Sequence, residues 1–122
     1  MSRAMMLTVL ARYNGVDTSK GSTWYEAGAA WAVETGISDG TSLDGALTRE
    51  QLALMLYRYA GEPAAAGSLS AFGDAENVSS WAVQAMVWAT ENGLINGVGG
   101  DLLNPQGQAT RAQVAAMLQR FI

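Results

Sequence analysis

Cysteine and histidine are both absent from the 122 residues. Without cysteine there is no disulfide framework and no thiolate chemistry. Without histidine the commonest general base and the commonest neutral metal ligand are missing. Basic residues are scarce: seven Lys and Arg stand against eleven Asp and Glu, a formal net charge of −4. That balance argues against a nucleic-acid partner, whose affinity rests on clustered Lys and Arg. No apolar run approaches the roughly 20 residues of a membrane span, so no membrane insertion is expected. The N-terminus lacks the form of a signal peptide, because Arg12 and Tyr13 interrupt the apolar stretch and no A-x-A-like site follows. An export signal, if the protein is exported, is expected outside this chain.

What is present is apolar content and repetition. Hydrophobic residues make up 49% of the chain, enough to build one core. The closing segment, Thr110 to Ile122, reads T-R-A-Q-V-A-A-M-L-Q-R-F-I, and its pattern occurs three times. Thr48 to Tyr59 reads T-R-E-Q-L-A-L-M-L-Y-R-Y, and Ser2 to Tyr13 reads S-R-A-M-M-L-T-V-L-A-R-Y. In each copy a hydroxyl residue precedes an arginine. Apolar positions follow at helical spacing, and a second arginine and an aromatic close the segment. The predicted inward faces are Met6, Val9, Leu10 and Tyr13; Leu52, Met55, Leu56 and Tyr59; and Val114, Met117, Leu118 and Phe121. Ser2 is a predicted N-cap, and Thr48 with Gln51 and Thr110 with Gln113 are predicted capping boxes. Arg12, Arg58 and Arg120 fall in the last helical turn, where they complement the helix dipole.

A second helix type alternates with the first. Thr23 with Glu26 fits a capping box, and a helix is expected from there to about Thr35. Its relative begins at Trp81 and runs to about Glu91, with Trp81, Ala85, Trp88 and Ala89 on one face. Trp24 and Trp81, Trp31 and Trp88, Gly36 and Gly93, and Gly40 and Gly97 share an offset of 57, while Thr48 and Thr110 are 62 apart. Glycines 15, 36, 61 and 93 are the expected helix stops. The period is near 50 residues. Residues 1–14 form the second half of one repeat, 15–61 a full repeat, 62–71 a linker rich in small residues, and 72–122 another full repeat. The reading is all-α: five main helices and little strand, with tandem helix-loop-helix units packed into one compact domain.

Phe72, Asp74, Trp81, Gly93-Leu94, Gly97, Pro105 and Thr110-Arg111-Ala112-Gln113 together resemble the S-layer homology domain. Asp17, Trp24, Gly36-Ile37, Gly40 and Thr48-Arg49-Glu50-Gln51 repeat the pattern, with Gly15 at the usual aromatic position. The resemblance covers nearly the whole chain. It departs where Gln51, Gln113 and Met5 replace the usual motif glutamate. It implies a pseudo-threefold helical assembly with grooves between repeats. It also implies a role: anchoring an exported bacterial protein at the cell surface by non-covalent binding of a secondary cell wall polysaccharide, often at a ketal pyruvate. The ligand-binding residues so implied are Arg3, Arg49 and Arg111; Trp24 and Trp81; Asp17 and Asp74; and Gly40 and Gly97. No cofactor and no catalysis are implied.

The residues themselves leave two readings at each place. An arginine at the first helical position opposes the dipole, so its recurrence asks for another reason. Beside free N–H groups at a helix start it can grip a carboxylate; alternatively it pairs with Asp17 or Asp74 of a neighbouring repeat. Trp24 and Trp81 can stack on sugars or pack in the core, whereas Trp31 and Trp88 read as core. The two aspartates can accept from sugar hydroxyls, form Asx turns or make ion pairs. Asp39, Asp44 and Asp101 lack the ligand pattern of a calcium loop, and Gly97-Val98-Gly99-Gly100 lacks a nucleotide fingerprint. A protein-interaction module of the same fold without a sugar site is the alternative, and a glycan-cleaving enzyme ranks third. The incomplete first repeat predicts self-association to cover its apolar face, or helix rearrangement.

Overall fold

The computed structural model describes residues 2–19, 25–38, 40, 43, 45–65, 67–69, 72–94 and 103–121. Among these residues there are five α-helices: α1 (Arg3–Tyr13), α2 (Glu26–Glu34), α3 (Arg49–Tyr59), α4 (Val83–Glu91) and α5 (Arg111–Phe121). Two 3-10 turns, Ala75–Asn77 and Ser80–Ala82, precede α4. The protein is helical, and among the described residues extended pairing is limited to two isolated bridges, Ser2 with Ala46 and Thr48 with Gln108.

The helix ends follow local chemistry. The Ser2 hydroxyl accepts from the Met5 amide. Thr48 and Gln51 close a full capping box, and Thr110 and Gln113 make the same pair of bonds. The helices α1 to α4 end on glycines 15, 36, 61 and 93, all in the left-handed region. After α2 and α4 the next amide reaches back five residues, Ile37 to Ala32 and Leu94 to Ala89, which closes the helix end and turns an apolar residue inward.

The chain divides into two compact units, residues 1–47 and 48–122. In the first, α1 packs on α2. The approach is close: a Cβ at Gly28 would stand 2.9 Å from the Thr8 Cα. Met6, Leu7, Leu10, Ala11 and Ala32 are buried there. Val9 and Tyr13, expected inside, are 38% and 57% exposed. Among the described residues of this unit, that side of α1 stays open.

In the second unit α3 packs on α4 and on the 3-10 turn before it. Leu52, Met55, Leu56, Ala85, Met86 and Ala89 form the centre, with Val114 and Met117 buried from α5. Trp88 is buried and its ring tilts against Tyr57 at a centroid distance of 5.7 Å. The expected helix from Trp81 begins later: residues 80–82 are a 3-10 turn and the α-helix starts at Val83. Trp81 is therefore not on the buried face of α4; it is 52% exposed. Leu69, inside the stretch read as linker, is buried.

Candidate functional site at the helix start of α3

A helix start leaves amide N–H groups without intrahelical acceptors. At α3 the first two are taken by a loop: the Arg49 amide donates to the Gly107 carbonyl (2.9 Å) and the Glu50 amide to the Pro105 carbonyl (3.0 Å). The same arrangement stands at α1, where Arg3 donates to Gly45 (3.1 Å) and Ala4 to Leu43 (2.9 Å). The expectation of free N–H groups beside the motif arginine fails at these two starts, because the loop of the following repeat lies across them.

The motif side chains hold that loop. Arg49 is buried, and its Nε donates to the Leu103 carbonyl at 2.8 Å. Asp74 accepts from the Leu103 amide (2.7 Å) and the Asn104 amide (2.8 Å). Burial pushes the Asp74 carboxyl up, but these two N–H groups and the Arg49 charge outweigh it and hold it below its ordinary value. For Arg49, burial pushes the guanidinium down and Asp74 pushes it back, with a net lowering. A guanidinium stays charged under such a shift.

Glu50 is the residue that sequence reasoning passed over. It is buried, and its two oxygens accept from the Ser79 amide (2.9 Å) and hydroxyl (2.7 Å), with Gln106 Nε2 at 3.3 Å. It thereby ties α3 to the turn that carries Trp81. The available signal was a charged side chain where the other copies place Ala4 and Ala112.

The remaining expected residues fall in different settings. Arg3 is half-buried and Arg111 exposed. Asp17 is exposed and accepts from the Ser19 amide in an Asx turn. Gly40 has a left-handed φ, its amide donates to Ser38 Oγ, and a Cβ there would lie 3.0 Å from the Val33 side chain. Trp24 and Gly97 lie outside the described residues, as do Thr23, Asp39, Asp44, Asp101 and the glycine run 97–100. Among the described residues no three His, Cys, Asp or Glu side chains gather as a metal site, and no helix is long and apolar enough to cross a membrane. Trp81 is thus a large exposed aromatic two residues from a carboxylate-braced serine.

Residues 71–115 match the family model of the S-layer homology domain. The chain carries an S-layer homology domain. Such domains anchor surface proteins to the cell wall and bind its polysaccharide. The chain is 36% identical over 114 residues to a surface-layer 125 kDa protein of Lysinibacillus sphaericus, covering 84% of this chain and 9% of that protein. It is 31% identical over 131 residues to the exoglucanase XynX of Acetivibrio thermocellus, covering 94% of this chain and 12% of the enzyme. An amylopullulanase of Thermoanaerobacterium thermosulfurigenes is 29% identical over 110 residues, 81% of this chain and 6% of the enzyme. The chain therefore matches only a small fraction of each of these long proteins. Among solved structures it is similar to an undecaheme cytochrome from the S-layer of Carboxydothermus ferrireducens. The TM-score is 0.56 at 25% identity, over 99% of this chain and 21% of that one. The S-layer homology match contains Asp74, Ser79, Trp81 and Arg111, so the braced turn and the exposed tryptophan both lie inside it.

Proposed function

We propose that the chain is a non-catalytic carbohydrate-binding module that holds a bacterial surface protein to a secondary cell wall polysaccharide. The observation that carries this reading is the 52% exposure of Trp81 within the matched domain. An indole face stacks on the C–H face of a sugar, and its N–H donates to a hydroxyl. In this reading Trp81 is the platform, and Arg49 and Asp74 build the wall behind it. Arg3, Asp17, Trp24, Gly40, Gly97 and Arg111 are their counterparts in the other copies, with a carboxylate such as a pyruvyl group as the arginines' target.

The test uses cell-wall sacculi, native and stripped of the secondary polymer. The protein is expected to sediment with the native sacculi only. Trp81→Ala should weaken retention roughly tenfold, the equivalent of one lost aromatic contact, with an unchanged melting temperature. Equal retention on both kinds of sacculi would remove the polysaccharide from the proposal.

One observation favours a second reading, a protein-interaction module of this fold without sugar binding. Arg49 is already engaged by the Leu103 carbonyl, and both Asp74 oxygens are engaged by backbone amides. A Trp81→Ala protein that stays on native sacculi would support it. We also propose self-association through α1, where Val9 and Tyr13 expose apolar surface while Met55, at the place of Val9, is buried in α3. Sedimentation equilibrium of the protein and its Tyr13→Ser variant tests this; a concentration-independent monomer in both would refute it.

A further inference from the structure

The segment Val78 to Val83 reads V-S-S-W-A-V, and it has two ways into α4. In one, Ser79 caps an α-helix that begins at Ser80, its hydroxyl accepting from the Ala82 amide. On that continuous helix Trp81 would stand within about 40° of both Ala85 and Trp88. Those two residues are 1% and 6% exposed, so the indole would turn towards the core. The structure takes the other way. The Ala82 amide donates to the Ser79 carbonyl at 2.8 Å, residues 80–82 form the 3-10 turn, and Ser79 makes no capping bond through its side chain. Ala82 is then fully buried and Trp81 points out.

The choice is made from α3. Both polar groups of Ser79 donate to one carboxylate, the amide to Glu50 Oε2 (2.9 Å) and the hydroxyl to Oε1 (2.7 Å). Gln106 braces the same segment: its Nε2 donates to the Asn77 carbonyl at 2.7 Å and lies 3.3 Å from Glu50 Oε1. Val78, between the two held residues, is buried. Beyond the brace Ser80, Trp81, Val83 and Gln84 are all exposed and all uncharged. The packing of a motif helix on its neighbour does not itself require the carboxylate. Ala4 holds the corresponding place in α1, and α1 packs on α2 without it.

We infer that Glu50 is a positioning residue for carbohydrate: by holding Ser79 it selects the 3-10 entry and keeps the Trp81 indole turned outward. The inference rests on the reading of Trp81 as the sugar platform. It adds that the platform is set from another helix before any ligand arrives. Without the carboxylate the Ser79 hydroxyl is released to cap, α4 lengthens to Ser80, and the indole turns towards the Ala85 side. Apparent affinity then falls by the fraction of molecules that still present the ring. Glutamine at position 50 keeps an acceptor for the Ser79 amide and a polar partner for its hydroxyl, so it should preserve the outward ring.

The test combines fluorotryptophan-labelled protein with retention on native and stripped sacculi, well below the melting temperature. The Trp81 fluorine signal is identified by its loss in Trp81→Ala, and its shift between H2O and D2O reports exposure. In Glu50→Ala that solvent shift should shrink and the backbone shifts of residues 80–82 should become α-helical. Retention on native sacculi should weaken by between about threefold and the roughly tenfold expected of Trp81→Ala. Glu50→Gln should stay within about twofold of the parent, and Glu50→Ala should add no further loss in a Trp81→Ala background. Retained methyl resonances of Leu56 and Met86 would show that the fold persists. If Glu50→Ala does not fold, Glu50→Asp, whose carboxylate is one methylene too short to hold both groups of Ser79, takes its place with the same expected direction. An unchanged Trp81 signal, or an equal loss of retention with and without Trp81, would overturn the inference. Retention that Trp81→Ala does not weaken would overturn the platform reading and this inference with it. Trp81-dependent retention that Glu50→Ala leaves at the parent level would overturn this inference alone.

Discussion

Replacing Glu50 by alanine gives the second copy the residue that stands at the same place in the other two, Ala4 and Ala112. Reasoning from the repeats would expect a neutral or mildly stabilising change, as consensus substitutions often are. The structure requires the opposite. The Glu50 carboxylate is buried and takes two short bonds from Ser79. Each bond to a charged group contributes about 1.5–3 kcal/mol. The desolvation cost of the carboxylate, regained in the mutant, offsets part of that. Against this, the Ser79 amide loses its acceptor. A net loss of about 2–3 kcal/mol follows, which lowers the melting temperature of a chain this size by about 10 °C. Helix propensity adds little, because alanine is a good helix former and the Glu50 amide keeps its bond to Pro105. Thermal and urea unfolding followed by circular dichroism would measure it. Ser79→Ala and the double variant complete a cycle, with an expected coupling near 1 kcal/mol or more. A Glu50→Ala protein that melts within about 2 °C of the parent would refute the account.

Three further outcomes are expected. Gly28→Ala should destabilise the first unit by about 1–2 kcal/mol in chemical unfolding: the gain in helix propensity is about 1 kcal/mol, but the added methyl meets the Thr8 backbone at 2.9 Å, which cannot rotate away. Asp74 titrates below its ordinary value in the folded protein, so the stability it supplies is complete above the unfolded carboxyl range and is lost as pH falls through the depressed folded value. The melting temperature should therefore fall less steeply between about pH 5 and about pH 2 in Asp74→Asn than in the parent, and parallel profiles would contradict the assignment. Trp88→Ala should cost about 3–5 kcal/mol, since that ring is buried against Tyr57, whereas Trp81→Ala should leave unfolding within about 0.5 kcal/mol of the parent.

What could be read from residue order was local. The caps at Ser2, Thr48 and Thr110 and the glycine stops concern atoms within five residues of each other, and their chemistry allows few alternatives. The beginning of α4 was not local. Ser79 would be a good N-cap, but its hydroxyl is committed to Glu50, 29 residues away, and the chain enters α4 through a 3-10 turn. Periodicity grouped Val9 and Tyr13 with Met6 and Leu10, but the buried side of α1 is made by Ala4, Met6, Leu7, Thr8, Leu10 and Ala11, and spacing alone does not say which side a neighbouring element covers. The recurrence of Arg3, Arg49 and Arg111 was visible, as was its mismatch with the helix dipole. That a loop carbonyl would occupy Arg49 depends on a fold in which residues 54 apart meet, and no pattern within either segment encodes it.

The loops across the helix starts also decide where the chain can be divided. Repetition invites a cut near residue 61, between one repeat and the next. Such a cut leaves α3 on one piece and its covering loop, 105–108, on the other, and it separates Glu50 from Ser79. A cut between Leu47 and Thr48 severs none of the loop-to-helix bonds described, because each helix start then stays with the loop that crosses it. The module that evolution copied and the module that holds together are offset by half a repeat. Fragments for binding studies should follow the second.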